Sequence, residues 1–187
     1  MVLVGLVLVL ASAACADGGS TGGAAEPAGG GAESETREPA PVDPTGVTGP
    51  AVVECGQALR PTTAGGLTVT GRFPAAVSAG RQVVEGEVEV ESRDAVRVVA
   101  PGAADVFLVR QGRVVALPGP QDAVGVRWDL RPGEARTLPG VVPLVLCESG
   151  GGPAPAGSYE LYARVVVTTD EGAVVESYGG PWPLTVR

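Results

Sequence analysis

The chain has no histidine and no lysine. Without histidine it lacks the usual general base and the commonest transition-metal side-chain ligand. Without lysine its 13 cations are all arginine, set singly among 21 carboxylates for a net charge of −8. A phosphate backbone is held by clustered cations, so nucleic acid is not an expected partner. Cysteine is scarce as well. Cys15, Cys55 and Cys147 are the three present, and their spacing excludes a C-x-x-C redox motif. No segment sustains a 3.6-residue apolar period, so no helix is expected and no phosphate-binding glycine loop can open one.

The chemistry that remains belongs to carboxylates. Glu85, Glu87, Glu89 and Glu91 alternate along one strand, which spaces them ~6.5–7 Å apart on one face. Two such groups cannot share a calcium ion unless their side chains bend toward it. The row reads as a solvated strand face, able to meet a basic partner or to guard an edge against aggregation. Asp94, Asp105, Asp122, Asp129 and Asp170 stand near turns, where a short carboxylate bonds local backbone. A glycosidase would need two opposed carboxylates across a cleft, and the sequence does not place such a pair. Gly18-Gly19-Ser20-Thr21-Gly22 matches the nucleophile-elbow pattern. That motif needs a strand before it, a helix after it and a histidine elsewhere. Catalytic residues, metal ligands and cofactors are therefore all expected to be none.

Residues Val2 to Leu10 form an apolar run broken only by Gly5, followed by the small residues Ala11 to Ala14 and then Cys15. This is the pattern of a secretory signal, residues 1–14, and the run falls short of the ~20 residues that span a bilayer. Ser12-Ala13-Ala14-Cys15 resembles the lipobox of bacterial lipoproteins, although Ser12 stands where that family usually has Leu. The resemblance implies cleavage before Cys15, its lipidation, and attachment at the extracytoplasmic face of the cell membrane. A plain secreted protein and an uncleaved anchor are the alternatives. No basic residue precedes the apolar run, so further sequence upstream of Met1 is an expectation. The bias to Ala, Gly, Val, Pro and Arg resembles that of actinobacterial proteins.

Residues 15–50 would then be the lipidated cysteine and a disordered tether. The stretch is Gly, Ala, Glu, Pro, Ser and Thr, with Val42 and Val47 its only branched apolar residues. It cannot bury enough apolar surface to offset the entropy of ordering. A Gly-rich chain of this length spans ~30–35 Å.

Residues 51–187 read as strand throughout. Val84, Gly86, Val88 and Val90 share one face. So do Val124, Val126, Trp128 and Leu130, and likewise Tyr159, Leu161, Ala163, Val165 and Val167. Alternation of this kind implies sheets with one buried and one wet face. Further strands are expected at Leu67 to Arg72, Ala95 to Val99, Val106 to Arg110, Arg113 to Leu117, Val142 to Cys147, Ala173 to Ser177 and Pro183 to Val186. Turns are expected at Gln111-Gly112 and Asp170-Glu171-Gly172. The expected architecture is an immunoglobulin-like antiparallel β-sandwich.

Gly157-Ser158-Tyr159-Glu160-Leu161 resembles the tyrosine corner that opens the F strand of such sandwiches, in which the Tyr hydroxyl bonds upstream backbone. An ordinary half-buried strand tyrosine is the other reading. Leu161 holds the place of the second cysteine of antibody domains, so the inter-sheet disulfide of those domains is not expected. With Cys15 set apart, Cys55 and Cys147 form an even pair in an exported domain and read as a disulfide. Two free buried thiols are the alternative. The segments DVFLVRQGRVV, WDLRPGEARTL and PAGSYELYARV resemble the strand and turn pattern of the BsuPI family, named for a proteinase inhibitor. The function expected is that of a membrane-anchored, non-enzymatic binding module for a protein or cell-envelope component. The BsuPI resemblance implies an extracellular proteinase inhibitor as the alternative.

Overall fold

The computed structural model describes residues 49–62, 65–122, 124–147 and 151–187. The expected signal segment, Cys15, the match at residues 18–22 and nearly all of the tether lie outside the described residues.

The domain is all-β, with no helix among the described residues. Ten strands follow in chain order: β1 (Leu67–Arg72), β2 (Ala76–Val77), β3 (Val83–Ser92), β4 (Val96–Ala100), β5 (Ala104–Arg110), β6 (Arg113–Ala116), β7 (Val126–Leu130), β8 (Ala135–Pro143), β9 (Gly157–Thr169) and β10 (Val174–Val186). Hydrogen bonds link them in the order β1-β3-β8-β5-β9-β10-β2. β6 is added to β5, and β4 joins the end of β9 and carries β7.

An antiparallel sheet was expected, and the structure corrects this to a mixed one. β5 with β8, and β10 with β2, run parallel over two residue pairs each. Both contacts join strand ends that lie side by side because the sheet curls. The curl is visible where β10 returns to β1, although four strands separate them along the ladder. Trp182 of β10 packs on Phe73 with ring centroids 5.4 Å apart. Gly71 makes room for it, since a Cβ there would stand 2.7 Å from the indole.

Alternation places the core. Val84, Val88 and Val90 of β3 are fully buried, while Glu85, Glu87 and Glu91 are exposed. Glu89 is half-buried and pairs with Arg72 of β1 at 3.1 Å. On β9 the five residues from Tyr159 to Val167 enter the same core. The turn at Gln111-Gly112 has both residues at positive φ and closes β5 onto β6.

β5 breaks the rule of one wet face. Val106 and Leu108 enter the main core, while Phe107 and Val109 join Val114 and Tyr178 in a second, smaller one. A strand buried on both faces needs a cover on each side. The second cover is the N-terminal segment 51–59, whose Val53 and Leu59 pack on that cluster.

Three expected strands differ from the structure. Val142 to Cys147 is mostly not strand; the strand is β8, which begins at Ala135 and ends at Pro143. Ala173 to Ser177 and Pro183 to Val186 are two ends of the single β10, continuous through a register shift between Gly179 and Trp182.

Candidate functional site

β7 and β8 are consecutive yet diverge. β7 pairs with β4, whereas β8 pairs with β3. They are pinned at one end, where Gly133 N–H donates to Ser92 O (2.7 Å) and Ser92 N–H to Glu134 O (3.1 Å). At the other end they splay and leave a groove of ≈ 500 Å³. Its walls are the Gly102–Ala104 segment, the Gly119–Asp122 loop, Val124, Val126, Pro139 and Val141. Its three valines are open to solvent: Val124 at 68%, Val126 at 47% and Val141 at 40%. Asp122 is the one charged residue in the lining. A concavity of this size with mostly apolar walls suits an apolar or extended ligand.

A polar network braces the groove from behind. Gln121 Nε2 donates to Ala104 O and to Asp105 Oδ1, both at 3.1 Å. Asp105 Oδ2 accepts from Arg164 Nη2 (2.7 Å) and Nε (3.1 Å). Arg164 Nη1 donates to Ala51 O at 2.6 Å and lies 4.0 Å from Glu176 Oε2. Ala51 N–H donates to Glu176 Oε1, and Tyr178 hydroxyl donates to Glu176 Oε2 at 3.3 Å. The Arg164 side chain is only 13% exposed, and its guanidinium sits 5.5 Å from the Phe107 ring centre. Burial pulls the Arg164 pKa down, but the bonds and charge of Asp105, together with Tyr178, outweigh this and raise it overall. Burial pushes the Tyr178 phenol above its ordinary value; Glu176 adds to the rise and Arg164 opposes it.

Cys55 and Cys147 are disulfide-bonded, with Cα atoms 6.0 Å apart across a sequence separation of 92. The bond fastens the 51–59 strap to the segment that follows β8. The strap is also laid along β6, with Gly56 N–H to Val114 O at 2.8 Å and Val114 N–H to Gln57 O at 2.9 Å. Tyr159 is buried, and its hydroxyl donates to Pro155 O at 2.8 Å.

The aspartates expected near turns do not converge. Asp105 belongs to the Arg164 network and Asp122 to the groove wall. Asp129 faces Arg97 at 3.5 Å, and Asp170 lies 4.0 Å from Arg127. The Asp94 carbonyl accepts from the Ser92 hydroxyl at 2.6 Å. Among the described residues no group of three or more His, Cys, Asp or Glu could hold a metal ion.

The expected inner face Val124, Val126, Trp128 and Leu130 is corrected at its start. Trp128 and Leu130 are buried, but Val124 and Val126 open onto the groove, because β8 has turned away from β7. Sequence reasoning also missed Arg164, which falls on the outward phase of β9. The signal available for the groove was the loop LPGPQD ahead of two valines.

No family model matches the chain, and no curated protein matches it. Among solved structures it is similar to the ApaA protein from Bordetella pertussis, with 15% identity over 64% of this chain and 91% of that one and a TM-score of 0.38. It is similar to the C-terminal domain of Wzt at 11% identity, over 68% and 77% of the two chains, with a TM-score of 0.43. It also resembles the sporulation control protein Spo0M from Bacillus subtilis at 17% identity, over 66% and 50%, with a TM-score of 0.36. Overlaps this loose carry no inference about activity.

Proposed function

We propose that the chain is a lipoprotein, anchored through Cys15 at the extracytoplasmic face of the cell membrane, whose β domain is a non-enzymatic binding module for a protein or cell-envelope component. The observation that carries the binding role is the groove between β7 and β8. Three solvent-open valines line a built concavity, and the Gln121–Asp105–Arg164 network fixes one wall. An exposed apolar concavity is where a partner gains most by excluding water. The lining holds a single carboxylate, Asp122, and Asp105 behind it is paired with Arg164, which favours binding over two-carboxylate chemistry.

The test is photo-crosslinking in intact cells from a photoreactive residue at Val141, with one at Glu87 on the solvent face of β3 as control. A discrete adduct from Val141, absent from Glu87 and lost on adding Val126→Arg, is the expected result. Adducts of equal yield from both positions would contradict a groove-based role. Inhibition of a panel of extracellular proteases by the same chain would instead make it an inhibitor.

A further inference from the structure

The margins of the sheet are unequal. β2 is two residues long. The outer margin of β6 takes the hydrogen bonds of the 51–59 strap. β1 is closed by Gly179 and Trp182 of β10, which lie against Val69 and Gly71. β7 pairs with β4 alone among the described residues, so no described strand pairs with its other margin, which borders the groove at Val126. An exposed margin is ordinarily blunted by shortness, charged side chains, proline, a bulge or a covering loop, and β7 has the first two. The sequence of β7, Val-Arg-Trp-Asp-Leu, contains no proline or glycine, and its pairing with β4 runs without a register shift.

Its charges are arranged symmetrically instead. Arg127 and Asp129 flank Trp128 on the solvent face, with side chains 75% and 73% exposed. In an antiparallel pair related by a two-fold axis, residues equidistant from the axis stand opposite one another. An axis at Trp128 sets Arg127 of each copy opposite Asp129 of the other, and Val126 opposite Leu130. β4 already places Arg97 opposite Asp129. Across the joined sheet the outer face would then read Arg97, Asp129, and the second copy's Arg127, alternating in sign. Other registers lose the match. Moving the axis to Arg127 or to Asp129 puts like charges face to face, and a one-residue slip sets a solvent-facing side chain against a core-facing one.

We propose that the unpaired margin of β7 is a self-association surface, on which two copies pair antiparallel about a two-fold axis at Trp128. The occupant is a second copy because β7 is complementary in charge to its own reverse, a match that an arbitrary strand does not offer. The contact is short and its charged pairs are exposed, so the dimer is weak and salt-sensitive.

The test is sedimentation velocity on the full chain in density-matched detergent, up to about 100 μM, where weak interfaces fill. The wild type should move toward twice the chain mass, and about 0.5 M salt should reverse this. Arg127→Asp and Asp129→Arg should each weaken association by about tenfold or more. Equal amounts of the two variants should re-form a dimer, because one carries only acids at these positions and the other only arginines. Both changes fall on exposed side chains, so folding is preserved. A wild type that stays monomeric, variants that dimerise as well as wild type, or a mixture that remains monomeric would each overturn the proposal.

Discussion

Arg164 ties three parts of the chain: it donates to Asp105 on β5 and to the Ala51 carbonyl on the strap, and its charge lies 4.0 Å from Glu176 on β10. Removing it leaves two carboxylates near each other, with Asp105 partly buried. Arg164→Ala should therefore cost about 2–4 kcal/mol in urea unfolding, and Arg164→Lys should recover little because an ammonium cannot fork between partners. None of this was legible in the sequence. On β9 alternation correctly sends Ala163 and Val165 inward and so marks Arg164 as a solvent residue. Its cover comes from Ala51, 113 residues away, and no local pattern encodes that return. Tyr178 gives a pH signature. Its phenol pKa is raised in the folded state, so the unfolded chain ionises first as pH rises. The stability it contributes is complete below about pH 10 and is lost as pH climbs through the folded value. Alkaline unfolding midpoints should fall over that window in the wild type and stay flatter in Tyr178→Phe.

Among the elements, β1 and β3 were legible because their inward residues alternate against a wet face, and β9 by its inward row, although its outer face is part-covered at Tyr162 and Arg164. β8 was not. Pro139 and Gly140 sit mid-strand and read as a break. The glycine is needed there, because a Cβ at residue 140 would stand 2.9 Å from Val106 and 3.0 Å from the Phe73 ring. β10 was split for the same reason, since Gly179-Gly180-Pro181 looks like a turn, but the structure absorbs it as an irregularity within one strand. The groove follows from β7 and β8 parting company, a tertiary event with no signature in either strand. The Cys55–Cys147 bond was readable from cysteine arithmetic in a domain read as exported; what it fastens was not. Replacing both cysteines with alanine should cost about 2–5 kcal/mol. In hydrogen exchange the loss of protection should concentrate at Gly56 and Leu59 of the strap and spare β9. Equal loss across both would show that the strap is not a separate element. Gly71→Ala should displace Trp182 and cost about 1–3 kcal/mol, read from the thermal midpoint.

At the scale of the molecule, the domain closes one core with a curled sheet and a second with its own N-terminal strap. The disulfide and the Arg164 network both act on that strap, which is the part of the domain next to the expected tether. Pull from a membrane attachment would reach the strap first, and the bond at Cys55 would pass it to the segment after β8. Everything proposed for this chain in the cell depends on attachment of the domain to a membrane surface through Cys15. The decisive experiment is fractionation of cells expressing the full chain, wild type against Cys15→Ser. Wild type is expected in the membrane fraction with Cys15→Ser released from it; a variant that stays with the membrane as fully as wild type would refute the anchor.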